Sequence, residues 1–296
     1  MSQSPPILHK LYENTQCNAP NHTAWIRIRD NVATILWRNS PLDRINHTLR
    51  VFEALYKDAH IYNPPANADV YFFADDIPPH YFQPFLAYCS SKDHDQTKVF
   101  AIPSFVLDLH TSGFLDLDKF GEKVIKDLDI PFEQRDDTLF WIGGVCPYRF
   151  NTFHAIKHIP HTDIRLGYND HNFVHIHDHN KYKYLLDMQG IGWSMRLMWL
   201  MWLGSVVFVL DRDLHEFWFL DNFQPWVHYV PVAHNGSDLE EVYNRVRAMP
   251  DKGKSIAEAC RQRAREILTL DFMKKRLASV LNEYVSRYGI LNHKPS

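Results

Sequence analysis

Between Lys181 and Leu210 the chain changes hydrophobic period three times. Tyr182, Tyr184 and Leu186 fall at every second position, Gly190 and Gly192 interrupt the pattern, and an apolar run follows from Leu197 to Leu203. This predicts a strand, a glycine loop and a helix. Ser194 suits the N-cap, Arg196 falls in the first helical turn, and Gly204 suits a left-handed C-cap. Ser205 to Leu210 then reads as a continuous buried strand, which completes a βαβ unit with parallel strands.

Elsewhere the pattern alternates in the same way. Residues 24–38 predict two strands around an Asp30-Asn31 turn, with Trp25, Ile26, Ile28, Val32, Ile35 and Leu36 on the apolar faces. Leu49, Phe52, Leu55 and Tyr56 are spaced as one helix face between Pro41 and Ala59. Short strands are expected at Asp69 to Ala74 and Lys98 to Ile102, and a helix from Asp116 to Leu128. Ile130-Pro131 and the polar residues Glu133 to Asp137 form the best linker candidate. Beyond it, Thr138 to Ile142, Asp163 to Leu166, Phe173 to His177 and Val227 to Val232 predict strands, and a helix is expected from Phe150 or Asn151. Ser237 and Glu240 read as a capping box. Asp251 to Leu268 and Asp271 to Arg287 are helical by period. Strands alternating with helices in both halves predict an α/β protein with two Rossmann-like domains facing a cleft.

Composition narrows the function classes. A net charge of −3 gives no electrostatic reason to expect a nucleic-acid partner. The fractions of 45% hydrophobic and 23% charged residues are ordinary for a globular protein. The first residues, MSQSPPILHKLYEN, lack the basic start and apolar stretch of a secretory signal. Cys17, Cys89, Cys146 and Cys260 are scattered without metal spacing. A reducing cytoplasm is therefore the expected compartment. The apolar run from Leu197 to Leu210 is too short to span a bilayer, so membrane contact is limited to peripheral attachment.

A glycine loop entering a helix presents unpaired N–H groups and the positive end of the helix dipole, a setting that favours phosphate. Arg196 adds a fixed charge. The third glycine of the dinucleotide fingerprint is missing, so the local pattern leaves two readings open, a phosphate site and a tight packing turn. His171, His175, His177, Asp178 and His179 raise a third: on a strand, His175, His177 and His179 would share a face and suit zinc, as in a metallohydrolase. Two DxD sequences, Asp116-Leu117-Asp118 and Asp211-Arg212-Asp213, could hold a divalent ion under a diphosphate.

The segment KYKYLLDMQGIGWSMRLMWLMWLGSVVFVL, together with Glu216-Phe217-Trp218 and Pro225 to Val232, resembles the C-terminal half of glycosyltransferase family 90. That family includes Rumi-type protein O-glucosyltransferases, fungal capsule xylosyltransferases and bacterial LpsA-like lipopolysaccharide-modifying proteins. The likeness is clear from Asp178 onward. It implies a GT-B-like arrangement, with residues 1–135 as an acceptor-side domain, 136–270 as the nucleotide-sugar domain, and 271–296 returning to the first. The Asp178-His179 pair matches the residues that lead into the family's KYKY strand, which counts against zinc.

The resemblance also implies roles. Gly190, Gly192, Ser194 and Arg196 match the segment that faces the donor diphosphate. Asp76 matches the catalytic aspartate and stands at the carboxyl end of a predicted strand, where open sheets bind ligands; Asp75 is its rival. Arg149 matches a donor-side arginine, and Glu216 matches a carboxylate that could take the ribose hydroxyls. One departure is Ile142, where the family has an arginine; Arg149 or Arg165 would then substitute, the donor would differ, or activity would be weakened. Trp226, His228 and Tyr229 fall in the matching segment and read as packing residues.

The resulting expectation is a cytoplasmic UDP-sugar-dependent hexosyltransferase, sited in the cytoplasm or at the inner face of its membrane. It would act on a lipopolysaccharide or lipooligosaccharide core by inverting displacement, with no required cofactor and no metal site. The alternatives are a protein or capsule glycosyltransferase and a nucleotide-sugar-binding protein without turnover.

Overall fold

The computed structural model describes residues 23–38, 43–73, 84–91, 93–94, 98–103, 107–108, 113–114, 129–167, 173–192, 194, 196–212, 214–215 and 220–288. The chain forms two compact α/β units, one drawn from residues 1–105, 215–218 and 271–296, the other from 106–214 and 219–270.

In the first unit, β1 (Thr23–Arg29) and β2 (Val32–Arg38) pair antiparallel. Their two-residue turn has Asp30 and Asn31 at φ 50 and 67°, the left-handed pair that a tight hairpin requires and that these residue types tolerate. β1 also pairs antiparallel with β3 (Ala68–Phe73), and β4 (Phe85–Ala87) and β5 (Val99–Ala101) extend the sheet in parallel. The sheet is therefore mixed, because a two-residue turn can join only antiparallel neighbours. α1 (Asp43–Lys57) carries buried Val51, Phe52, Leu55 and Tyr56. The helix Leu270–Tyr288 packs in this unit from Asp271 onward. Its Lys274 Nζ lies 2.5 Å from Asp58 Oδ2, Asn282 Nδ2 donates to the Asn63 carbonyl at 3.0 Å, and the Tyr284 ring meets Phe100 edge-on at 5.2 Å.

The second unit is a parallel sheet of five strands: β6 (Asp136–Gly143), β7 (Thr162–Leu166), β8 (Tyr182–Asp187), β9 (Val206–Leu210) and β10 (Val230–Val232). Their spatial order is β7-β6-β8-β9-β10, with every neighbouring pair parallel. α2 (Pro147–Ile156) connects β6 to β7, α3 (Arg196–Leu200) lies between β8 and β9, and α4 (Leu239–Arg247) and α5 (Pro250–Ile267) follow β10. This is a doubly wound sheet in the order 2-1-3-4-5, whose winding reverses between β6 and β8. Its core holds Leu139, Trp141, Tyr184, Leu186, Phe208, Leu210 and Tyr243, each at most 1% exposed. Burial of side chains of this size contributes about 1.5–3 kcal/mol apiece.

Several sequence expectations need correction. The expected linker is structured: Phe132–Gln134 is a short 3-10 turn, and Arg135 is buried, donating to the Ile130 and Leu203 carbonyls and to Ser205 Oγ at 2.9, 3.0 and 2.8 Å. Phe173 to His177 is not a strand; His175 precedes a 3-10 helix at Ile176–Lys181, so the alternating histidines do not line one strand face. The helix expected near Phe150 starts at Pro147, where the missing N–H is no loss. The expected capping box is not formed: Asp238, not Ser237, precedes α4, and its Oδ1 turns back to accept the Ala233 N–H at 2.8 Å. The strand expected from Val227 begins at Val230. Among the described residues no helix is long and apolar enough to cross a membrane.

Candidate active site

The winding reverses between β6 and β8, and open α/β sheets bind ligands outside the carboxyl ends of the strands at such a point. β6 ends in Trp141-Ile142-Gly143. A Cβ at Gly143 would lie 2.5 Å from Trp141 Cζ2, so only glycine lets the indole fold back along its own strand. Immediately after, Cys146 and Pro147 start α2 and put Arg149 in its first turn.

Arg149 ties the two strand ends together. Its Nε donates to the Gln189 carbonyl at 2.9 Å and its Nη2 to the Met188 carbonyl at 3.2 Å, both just past the end of β8; Nη1 donates to the Gly144 carbonyl at 3.4 Å. Its guanidinium carbon stands 5.6 Å from the centre of the Trp141 ring, and that of Arg196 stands 5.5 Å from the same ring. Each cation–π contact is worth about 0.5–2 kcal/mol. Their joint effect is to hold two permanent positive charges at the carboxyl edge of β6 and β8.

Behind the glycine loop lies a buried polar cluster. Asp187, the last residue of β8, accepts the Ser194 hydroxyl at 2.7 Å through Oδ1 and pairs through Oδ2 with Arg212. The side chains of Asp187 and Arg212 are 0% and 1% exposed. The sequence reading missed this pair; the signal was an aspartate ending an otherwise apolar strand. His179, also buried, lies edge-on to Phe140 and Trp199 at 5.0 and 4.9 Å. Its Nδ1 is 3.0 Å from the His175 carbonyl, and burial pushes its pKa down to about 4. A neutral imidazole donating from Nδ1 fits both facts. Among the described residues, no group of three His, Cys, Asp or Glu side chains is arranged to hold a metal ion.

The structure thus gathers Arg149, Gly190, Gly192, Ser194 and Arg196 around the end of β8. Gly192 and Ser194 are buried and Gly190 is half-buried. Two expectations change. α3 is five residues long, because Trp202 and Leu203 tighten into i to i−3 bonds to Trp199 and Leu200. So short a helix has little dipole, and the positive charge comes from arginine side chains instead. Ser194 stands two residues before the first residue of α3, donates its hydroxyl to Asp187 at 2.7 Å and accepts the Leu197 N–H through its carbonyl at 3.3 Å.

Arg165 pairs with Ile142 in the β6–β7 ladder, and its guanidinium is held by Asp163 at 2.8 and 2.5 Å. Trp226 adopts φ 64° and packs under Arg245, whose guanidinium carbon is 4.3 Å from the ring centre. Asp75, Asp76, Glu216, Asp116, Asp118, Asp213 and His171 lie outside the described residues.

Residues 152–295 match the family model described as Glycosyl transferase family 90. The matched stretch is just under half of the chain. Two relatives show the same likeness over shorter stretches. Human protein O-glucosyltransferase 1 is 38% identical over 111 residues, which is 38% of this chain and 28% of that protein. The O-glucosyltransferase rumi of Drosophila melanogaster is 32% identical over 115 residues, 39% of this chain and 27% of that protein. The chain thus spans little more than a quarter of the length of the curated relatives it matches. Among solved structures, Anabaena HepE in complex with UDP and glucose gives a TM-score of 0.43 at 10% identity, over 68% of this chain and 63% of that one; at that score the likeness carries no weight. The family-90 match begins within α2, so Trp141, Gly143 and Arg149 stand just upstream of the matched residues, and the glycine loop and Arg196 stand inside them.

Proposed function

We propose that the chain is a UDP-sugar-dependent glycosyltransferase that moves a hexose to a hydroxyl acceptor by inverting displacement. The observation that carries this reading is the convergence of Arg149 and Arg196 on Trp141 at the winding reversal of a parallel sheet. Transfer from UDP-glucose or UDP-galactose breaks the bond between C1 and the diphosphate oxygen, and charge develops on that oxygen. Fixed guanidinium groups stabilise such charge without reorganising. Arg196 and Arg149, with N–H groups of the loop containing Gly190 and Gly192, take this role.

Asp76, with Asp75 as its rival, takes the proton from the acceptor hydroxyl as the new C1–O bond forms. Glu216 takes the ribose hydroxyls of UDP. No step requires a metal, and the divalent alternative is carried by the EDTA arm of the test. The acceptor in the first reading is a lipopolysaccharide or lipooligosaccharide core, reached from the cytoplasm or at the inner membrane face. A second reading, protein O-glucosylation, is favoured by the names of the relatives that match the family-90 region.

The test is UDP release from a panel of UDP-sugars, with and without EDTA, on the wild type and on Asp76→Asn and Arg196→Ala. Turnover of one UDP-sugar that survives EDTA and is lost in both variants supports the proposal. UDP binding without any turnover, removed by Arg196→Ala, would leave a nucleotide-sugar-binding protein and overturn the catalytic reading. Acceptor choice is read by offering the active donor with oligosaccharide core or with a serine-containing folded domain.

A further inference from the structure

Asp187 ends β8 wholly buried, with one carboxylate oxygen on the Ser194 hydroxyl and the other on the Arg212 guanidinium. Arg212 lies two residues beyond the end of β9, and Ser194 two residues before α3 begins. The carboxylate therefore joins the first strand of the βαβ unit, the far end of the glycine loop and the end of the neighbouring strand. A buried ion pair adds little net stability, because desolvation offsets the attraction. What it does fix is geometry, and the geometry here is that of the loop lying beside Arg149 and Arg196. Ser194 has one O–H to donate, and Asp187 accepts it at 2.7 Å. What remains on that oxygen is lone pairs, which repel a phosphate.

We infer that Asp187 is a positioning residue for the donor diphosphate, and that Ser194 acts through Asp187 instead of donating its hydroxyl to the ligand. The carboxylate clasps Ser194 to the end of β8, so that the N–H groups of the glycine loop and Arg196 are set before the nucleotide arrives. The pairing also neutralises Arg212, leaving Arg149 and Arg196 to meet the phosphates. This inference rests on reading the loop as a UDP site.

Two measurements test it. The first is the affinity for UDP and for uridine, by calorimetry, of the wild type, Ser194→Ala, Ser194→Thr, the pair replacement Asp187→Leu with Arg212→Met, and that replacement combined with Ser194→Ala. Ser194→Ala is expected to weaken UDP about tenfold and leave uridine unchanged, the size of a lost hydrogen bond to a charged group. Ser194→Thr, which keeps the hydroxyl, restores the affinity. In the pair replacement, Ser194→Ala has no further effect, because contacts that act as one unit are not additive. A further loss there would mean that Ser194 meets the phosphate itself, and the inference falls. The second is amide hydrogen exchange of residues 188–194 in the unliganded protein, expected to speed up in Ser194→Ala and in the pair replacement. Unchanged exchange in both also overturns the clasp. If the wild type binds no UDP, the nucleotide reading fails and exchange alone decides whether the clasp exists. If the pair replacement does not fold, Ser194→Ala and Ser194→Thr, which leave the ion pair intact, carry both measurements.

Discussion

Arg149 Nε stands 2.9 Å from the carbonyl oxygen of Gln189, forty residues further along the chain, and so fastens the first turn of α2 to the loop that follows β8. The planar fork of arginine lets one side chain reach the Gln189, Met188 and Gly144 carbonyls while lying near the Trp141 ring. Lysine keeps the charge and loses the fork.

Arg149→Lys is therefore expected to bind UDP about tenfold more weakly than the wild type, since hydrogen bonds from a charged donor are worth roughly 1.5–3 kcal/mol. Calorimetric titration with UDP checks this. Wild-type affinity in Arg149→Lys would show that charge alone is what position 149 supplies.

Gly143→Ala places a methyl group 2.5 Å from the Trp141 indole, which is 1% exposed. Overpacking of this kind costs typically about 1–3 kcal/mol. Because both arginines stand by that ring, the expected outcome is a lower melting temperature together with weaker UDP binding. A variant that melts early yet binds UDP normally would separate Trp141 from the site.

The βαβ unit was legible because its signals are local: alternation in β8, glycines in the loop, and a β-branched run in β9. The hairpin at Asp30-Asn31 and the helices Pro250–Ile267 and Leu270–Tyr288 were legible for the same reason. What the sequence hid depends on partners far along the chain. Arg135 read as a linker residue because polar side chains are usually solvated, yet its guanidinium is buried on Leu203 and Ser205. The histidines after Phe173 alternate like a strand, but Asp178 N–H bonds to the His175 carbonyl and winds them into a 3-10 turn. Within the site, Gly190, Gly192, Ser194, Arg196 and Arg149 were named from the sequence. Asp187 and Arg212 were not, because the pair is formed by two strand ends twenty-five residues apart.

Stability should carry a signature of His179. Burial is the main cause that brings its pKa from 6.5 to about 4; the hydrogen bond with the His175 carbonyl opposes the shift, and the Arg196 charge adds to it. The folded value lies below the unfolded one, so between these pH values the unfolded chain binds more protons. Stability is then complete above about pH 6.5 and is lost as pH falls toward 4, by roughly 3 kcal/mol in all. Urea unfolding of the second unit across this range should show a slope in the wild type that His179→Phe flattens. Equal slopes in both would mean that His179 does not contribute.

Gly204 closes the turn after α3 at φ 71°, and a Cβ there would lie 2.3 Å from Arg261 Nη2. Two separate costs are thus expected for Gly204→Ala: a left-handed backbone that alanine resists, about 1–3 kcal/mol, and displacement of the Arg261 guanidinium. Arg261 is not free to swing aside, because it donates to the Leu203 carbonyl at 2.7 Å and to Asp129 at 2.8 and 3.1 Å. In an Arg261→Ala background the clash disappears and only the backbone cost remains. Gly204→Ala should therefore destabilise the wild type more than it destabilises Arg261→Ala, a coupling that a double-mutant cycle of unfolding free energies measures directly. Equal losses in the two backgrounds would mean that the guanidinium yields without cost and that φ alone dictates glycine at this position.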